Sequence, residues 1–217
     1  ANRMQISFGI RENALPLLPA VQFSSFNARG ELVAGEVVIS DMDAHAYGGI
    51  WSGNGKLNWN KGWRFEARVK ANTMELAELF PQYGLSGELF ADGEMSAYGT
   101  TLVRLPETLR VDASFQAKRG VINGVDMVET ARLVSHEHLA GGRTHFDELN
   151  GSFQYENRQL RFRQIRIASG MLNASGTFEV RADGQMTGTF NSEIKMRAGN
   201  NPLALSGVLG EPKLVAR

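Results

Sequence analysis

The sequence of 217 residues contains no cysteine, and its 23 basic residues equal its 23 acidic residues in number. Without cysteine there is no disulfide, no thiolate metal site and no cysteine nucleophile. A net charge of zero gives no overall attraction to phosphate backbones, which argues against nucleic acid as the main partner. No apolar run approaches ~18 residues, so no membrane-spanning helix is predicted. The first residues lack an apolar h-region, so any export signal or anchor is expected outside this stretch.

What the sequence does contain is alternation of apolar and polar residues. From Trp63 to Ala71 every odd position is apolar and every even position is charged, and Leu109–Lys118 and Met186–Met196 follow the same scheme. A period of two is typical of half-buried antiparallel strands. Less regular strand candidates are Met4–Ile10, Leu32–Ser40, Ala44–Trp51, Gly53–Asn60, Leu85–Ala97, Ser152–Glu156, Gln159–Ile167, Met171–Val180 and Leu203–Leu209. The pattern predicts an all-β fold with two short helices, an elongated and twisted antiparallel sheet or trough.

Two segments break the alternation and are predicted to be the helices. Thr73–Phe80 begins with a Thr that is suited to an N-cap, has acids in its first turns and stops before Pro81. Asn123–Val134 has apolar residues near helical spacing. The polar stretch that follows it, Ser135–Thr144, is predicted to be a mobile loop.

The sequence also resembles itself at an offset of 123 residues, where Phe23–Asn27 aligns with Phe146–Asn150. In both copies the apolar phase slips by one residue, between Ile39 and Met42 and between Phe162 and Ile165. One extra residue that re-aims the following side chains is typical of a β-bulge, so two related strand units are predicted.

The repeat suggests how the chain 1–217 is organised as a single domain. Repeat unit one covers about 23–71 and repeat unit two about 146–196. Helix-containing linker regions, 72–145, lie between them, and a closing strand is expected within 202–217.

The second copy resembles the C-terminal AsmA-like region of bacterial envelope proteins. The resemblance covers roughly half of the chain and is a pattern of Gly, Asp and apolar spacing rather than of reactive residues. The residues that carry it are Gly120–Met127, Thr144–Phe153, Leu160, Phe162, Ile167–Phe178, Pro202-Leu203, Ser206-Gly207 and Pro212, and Leu85–Leu89 matches in outline.

The resemblance implies a curved β-sheet trough in the periplasm of a Gram-negative bacterium, held by an N-terminal helix in the inner membrane. Such relatives support the outer membrane and carry phospholipid between membranes along an apolar groove. Two features depart from the family. The usual tight Asn-Gly turn is Glu156–Gln159 here, and the membrane anchor is missing from this sequence.

The many strands raise the question of what covers their apolar face. The sheet either folds on itself into a closed sandwich or leaves an apolar face open to a ligand. Composition alone favours the closed core, whereas the resemblance favours an open groove for acyl chains. The candidate residues for that lipid-binding groove are Trp63, Phe65, Val69, Val111, Phe115, Phe178, Val180, Phe190 and Ile194.

The polar clusters have ordinary structural explanations. The arginines Arg158, Arg161, Arg163 and Arg166 are expected on a solvated strand face, with contact to anionic lipid head groups as the alternative. The histidines His136, His138 and His145 are close in sequence, but they lie in a loop without a carboxylate at ligand spacing, so no metal is predicted. No catalytic residue and no cofactor is predicted, since no nucleophile elbow or phosphate-binding Gly loop is present.

The sequence therefore predicts a non-enzymatic periplasmic module that shields or conveys phospholipid acyl chains, in outer-membrane biogenesis or maintenance. The alternative is a structural or assembly domain that docks envelope proteins through exposed sheet edges. Membrane contact is expected through a segment outside this chain.

Overall fold

A computed structural model of the chain describes residues 25–133 and 137–217. It has twelve strands in one sheet, and the strands are neighbours in the order in which they follow one another along the chain. They are β1 (Ser25–Val33), β2 (Glu36–Ala46), β3 (Gly49–Asn58), β4 (Trp63–Glu75), β5 (Leu85–Gly99), β6 (Arg110–Asn123), β7 (Arg143–Glu156), β8 (Gln159–Ala168), β9 (Leu172–Val180), β10 (Met186–Ile194), β11 (Asn201–Val208) and β12 (Glu211–Ala216). Every pair is antiparallel and the sheet is open, which confirms the predicted fold class. The strand predicted at Met4–Ile10 lies outside the described residues.

The first helix is shorter than predicted and begins later. Strand β4 continues through Glu75, and helix α1 covers only Leu76–Leu79. Thr73 is not an N-cap, because it has a φ of 55° at the β4–β5 register shift between Ala71 and Met74. The Thr that indicated an N-cap therefore belongs to a strand irregularity and not to a helix start.

The second helix, α2 (Met127–Arg132), lies within the predicted segment but omits both of its ends. Its N-cap is Asp126, whose carboxylate accepts a hydrogen bond from the Glu129 backbone N–H at 3.0 Å. The buried Thr144 hydroxyl ties the helix to β7, since it accepts from Met127 N–H and donates to the Val125 carbonyl at 2.8 Å. Residues 121–123 remain in strand β6, which explains the late start.

Both predicted phase slips are register shifts in the sheet. The β2–β3 pairing shifts between Ile39 and Met42, and the β8–β9 pairing shifts between Phe162 and Ile165. Strands β8, β9 and β10 begin 123 residues after β2, β3 and β4, respectively. The 123-residue offset of the sequence repeat thus relates strands β2–β4 to strands β8–β10.

Several parts of the fold differ in detail from the sequence interpretation. The region 72–145 contains two long central strands, β5 and β6, besides the helices. Segment 202–217, expected as one closing strand, forms the hairpin of β11 and β12. Two short 3-10 segments, Pro81–Tyr83 and Leu102–Thr108, had not been predicted.

The hydrophobic core lies mainly on one face of the C-terminal half of the sheet. Helix α2 packs against β7, β10, β11 and β12, and its buried Met127 and Ala131 join the same cluster as Phe190, Leu203 and Leu214. Helix α1 is smaller and contacts β4 and β5. The helices therefore cover the two halves of the sheet unequally.

The turn between β7 and β8 provides a test of local strain. It has two residues, Asn157 and Arg158, with φ of 52° and 61°. Positive φ at both positions is typical of a type I′ turn, in which Gly is favoured at the second position. We expect Arg158→Gly to stabilise the protein by about 0.5–1 kcal/mol in urea denaturation. Gln159→Gly, within β8, is the control and should destabilise it.

A second test concerns close packing in the β5–β6–β7 region. Gly120 is buried in β6, and a Cβ atom there would overlap the Ser86 carbonyl oxygen and the Phe146 ring. We expect Gly120→Ala to destabilise the fold by about 1–3 kcal/mol. The exposed Gly170 has no atom within 4 Å of an added Cβ, so Gly170→Ala should change stability by less than about 0.5 kcal/mol. Equal effects in the two variants would contradict the packing described here.

Candidate binding face

One row of register partners crosses all twelve strands of the sheet without a polar side chain. In strand order it consists of Ala28, Met42, Gly53, Val69, Gly93, Ala113, Phe153, Phe162, Phe178, Gly188, Leu205 and Leu214. We call this set the central row, the face that bears it the inner face, and the opposite face the outer face. Because side chains of a strand alternate, positions two residues away share this face, and most of them are apolar as well. The buried Ser192 of β10 is an exception.

The two halves of the central row differ in side-chain size. Strands β1 to β6 contribute small and medium side chains, whereas β7, β8 and β9 contribute Phe153, Phe162 and Phe178. The neighbouring inner-face positions of the first half mix buried alanines, such as Ala44 and Ala71, with larger side chains, such as Leu57 and Phe65. The small side chains of the central row itself project little from the backbone of β2–β6.

The nine predicted groove residues fall into two groups. Val180, Phe190 and Ile194 belong to the buried core in the C-terminal half, where they are 1%, 8% and 4% exposed. In this arrangement they pack against protein and are not available to a ligand. The remaining six are half-buried, and they are Trp63, Phe65, Val69, Val111, Phe115 and Phe178.

A row of phenylalanines joins the open half of the inner face to the core. Phe115 lies 6.4 Å from Phe153 and 6.3 Å from Phe162 between ring centroids. Phe162 stacks on Phe178 at 4.3 Å, and Phe178 lies 6.3 Å from Phe190. The sequence interpretation missed Phe153 and Phe162, because the register that brings them together depends on the bulges.

The four arginines predicted to contact lipid head groups do not lie together on one face of the sheet. Arg161, Arg163 and Arg166 are on the outer face, since their register partners include Gln154, Ser152 and Ser175. They therefore point away from the phenylalanine row. Arg158 lies in the β7–β8 turn. Its positive charge acts to lower the pKa of Tyr155, which is on the inner face.

Charged pairs cover much of the outer face. Lys56 contacts Glu66 at 3.2 Å, Arg119 contacts Glu88 at 2.8 Å, and Arg68 lies between Asp92 and Glu94. These side chains are largely exposed, so each pair contributes little to stability. Their main effect is to keep this face hydrated and chemically distinct from the inner one.

Two cavities of the sheet do not coincide with the predicted groove. One of about 570 Å³ lies on the outer face between β2 and β6, with Lys56, Glu66 and Arg68 in its wall. The other, of about 660 Å³, lies by the β8–β9 turn and the loop after β10, and Ile194 is its one predicted groove residue. Neither of these cavities lies on the inner face of β2–β6.

The histidines do not form a metal site within the described residues. His145 is exposed on β7, and His138 Nδ1 lies 3.3 Å from the Leu214 backbone nitrogen on β12. His136 lies outside the described residues. Across residues 25–133 and 137–217, no group of three or more His, Cys, Asp or Glu side chains is arranged to hold a metal ion.

Comparisons with known proteins give no identity. No protein-family model matches the chain, and neither a curated protein nor a solved structure matches it. The AsmA-like resemblance stays a prediction from the residues quoted above. Among the helices of the described residues, none is both long enough and apolar enough to cross a bilayer.

Tyr155 offers a test of the position of Arg158. Burial raises the pKa of the Tyr155 phenol above its ordinary value of about 10, and the positive charge of Arg158 opposes this with a smaller effect. We expect Arg158→Gln to raise this pKa further in an absorbance titration, with Tyr155→Phe identifying the signal. An unchanged or lowered pKa would place Arg158 away from the phenol.

The same shift predicts the direction of a change in stability. The pKa of the Tyr155 phenol is higher in the folded state than in the unfolded state. Its contribution to the free energy of unfolding is therefore fully present below about pH 10 and is lost as the pH rises beyond it. This loss should be absent in Tyr155→Phe, which has no phenol to ionise.

Proposed function

We propose that the protein is a non-enzymatic module of the bacterial envelope that shields or conveys phospholipid acyl chains. The inner face of β2–β6 is the surface on which a chain would lie. Periplasmic location, anchoring to the inner membrane through a segment outside this chain, and a role in outer-membrane biogenesis or maintenance follow from the AsmA-like resemblance.

The observation that carries this proposal is the central row. It is apolar across twelve strands, while the helices cover mainly the C-terminal part of it. An apolar surface that stays partly exposed to water favours contact with an apolar partner. A flexible chain suits it because the central row of β2–β6 is a strip of small and medium side chains.

The energetics of this strip are favourable for an acyl chain. Each methylene removed from water contributes about 0.8 kcal/mol. The four inter-strand steps from β2 to β6 span about 19 Å. One leaflet of a bilayer's hydrocarbon core, which an acyl chain fills, is about 15 Å thick. One chain therefore fits along the strip.

The head group would stay at the margin of the sheet in water. Of the four predicted arginines, Arg158 is suited to such a contact, because it lies at a strand turn and its charge reaches Tyr155 on the inner face. Arg161, Arg163 and Arg166 are not proposed as head-group contacts of a chain on the inner face, since they lie on the other side of the sheet.

A structural or assembly role remains the second candidate, and the edge formed by β1 favours it. This strand has nine residues without proline, and Leu32 and Val33 near its end are 65% and 57% exposed. Among the described residues β1 pairs with β2 alone, and a strand edge left without a partner can accept a strand from another protein. Such docking and lipid binding use different surfaces of the sheet.

The decisive experiment compares a charge on the two faces. Val69, between Gly53 and Gly93 on the inner face, is changed to Asp, and Ser52, exposed on the outer face opposite Lys70, is changed to Asp as the matched control. We expect Val69→Asp to weaken binding of a fluorescent fatty acid about tenfold or more, because a carboxylate must lose water against the chain. Ser52→Asp should bind as the parent does.

Native mass spectrometry of the purified protein supplies a second readout, in which we expect co-purified phospholipid. If Val69→Asp fails to fold, Ala113→Leu fills the same strip without a charge, and Ser114→Leu on the outer face is its control. Absence of both co-purified lipid and probe binding in the parent would overturn the lipid proposal and favour the assembly role.

A further inference from the structure

The connection between β5 and β6 carries two adjacent aliphatic residues that the fold leaves in water. The 3-10 segment of this connection begins with Leu102 and Val103, which are 51% and 86% exposed. Isolated exposed apolar residues are ordinary in soluble proteins, whereas a contiguous exposed apolar patch is typical of a contact site. The connection therefore qualifies as a contact surface if its neighbours belong to the same patch.

Hydrogen bonds hold this connection in a defined shape. The Thr108 hydroxyl accepts from the Tyr98 backbone N–H at 2.8 Å and donates to the Tyr98 carbonyl at 2.6 Å. The Arg104 backbone N–H donates to the Thr101 carbonyl at 3.1 Å, and Pro106 restricts the backbone further. The segment is thus folded onto the end of β5, and the exposure of its aliphatic side chains belongs to that folded shape.

Aromatic and basic side chains from the β3–β4 turn lie beside the segment. Trp63 is the register partner of Gly99, and the segment packs against β4 as well as β5. The half-buried rings of Trp59 and Trp63 lie 5.6 Å apart between centroids. Lys61 and Arg104 are exposed, and neither forms an ion pair with another described residue. We call Trp59, Lys61, Trp63, Leu102, Val103 and Arg104 the tip patch.

We infer that the tip patch docks onto the surface of an anionic phospholipid bilayer. Tryptophan is enriched where membranes meet water, and lysine and arginine are attracted to anionic head groups. Residues 59–64 and 98–108 contain three basic residues and one acid, although the whole chain has no net charge. This local excess of positive charge complements an anionic surface.

The shape of the patch favours a bilayer over a protein. Leu102 and Val103 protrude from the connection, and a protein partner would need matching pockets to bury them. A fluid bilayer needs no such pockets, because its acyl chains rearrange around an inserted side chain. Trp and the basic side chains then lie at the level of the head groups.

This contact goes beyond acyl-chain binding and does not depend on it. The tip patch lies where strands turn, at one margin of the sheet, whereas the proposed chain lies across β2–β6. Trp63 belongs both to the tip patch and to the inner face. A bilayer docked on the tip patch would therefore adjoin the inner face at this margin.

The absence of cysteine permits a direct test. Val103→Cys provides a single attachment site for an environment-sensitive dye, and the equally accessible Met196→Cys, in the β10–β11 loop at the opposite margin of the sheet, is the matched control. The probe is vesicles of equal parts phosphatidylcholine and phosphatidylglycerol. The expected result is a blue shift of the dye at position 103 and no shift at position 196.

Sedimentation with the same vesicles supplies the second readout. Val103→Asp should bind them about tenfold more weakly, because an apolar contact is lost and a carboxylate is repelled by the lipid. Met196→Asp introduces the same charge and should bind as the parent does. Lys61→Gln and Arg104→Gln should each weaken binding about fivefold on the mixed vesicles but not on phosphatidylcholine alone.

The outcomes separate this inference from acyl-chain binding. No blue shift at position 103 and no sedimentation of the parent would overturn it and leave the tip patch to a protein partner. Equal loss in Val103→Asp and Met196→Asp would overturn it too, as the charge alone would then explain the effect. We expect Val103→Asp to keep fatty-acid binding and Val69→Asp to keep vesicle binding. The reverse pattern would place the bilayer contact on the inner face.

Discussion

The continuity of the apolar central row is the constraint on which the rest of the structure depends. Each of the twelve strands must place an apolar residue or glycine at one register position, although the chain reverses at every turn. A slip of one residue in any strand would move its apolar set to the charged face. The bulges between Ile39 and Met42 and between Phe162 and Ile165 keep the row aligned where the sequence phase changes.

Uneven covering of this row creates the difference between the two halves of the molecule. In the C-terminal half, α2 and large side chains such as Phe190 and Leu203 form an ordinary core. In β2–β6 the row has small and medium side chains, and the smaller helix α1 packs against β4 and β5. Most of the buried cluster thus lies in one half, while Phe65, Val69 and Val111 of the other half stay half-buried.

Alternation and the repeat predicted an antiparallel β-sheet and both bulges, because these depend on local periodicity. The strand ends were less accurate, since Leu32–Ser40 and Ala44–Trp51 each cross a turn between two strands, and composition favoured a closed core over an open face. These patterns could not predict side-chain neighbours that depend on register. Phe153 and Phe162 were therefore missed, and Val180, Phe190 and Ile194, which face the same way as the groove candidates, are covered by packing that the sequence pattern does not encode. The helix predicted from Thr73 was wrong at its start, because Thr73 lies at the register shift of β4 and not at a helix N-cap.

The two edges of the sheet differ in how they are covered. Strand β12 is short and contains Pro212, and its Leu214 backbone nitrogen lies 3.3 Å from His138, so this edge is partly occupied, with α2 packed beside it. Strand β1 is longer and has no proline. The phenylalanine row and α2 fill the inner face toward β12, whereas the central row toward β1 has smaller side chains. The uneven covering of the inner face, rather than any single residue, thus distinguishes its two ends.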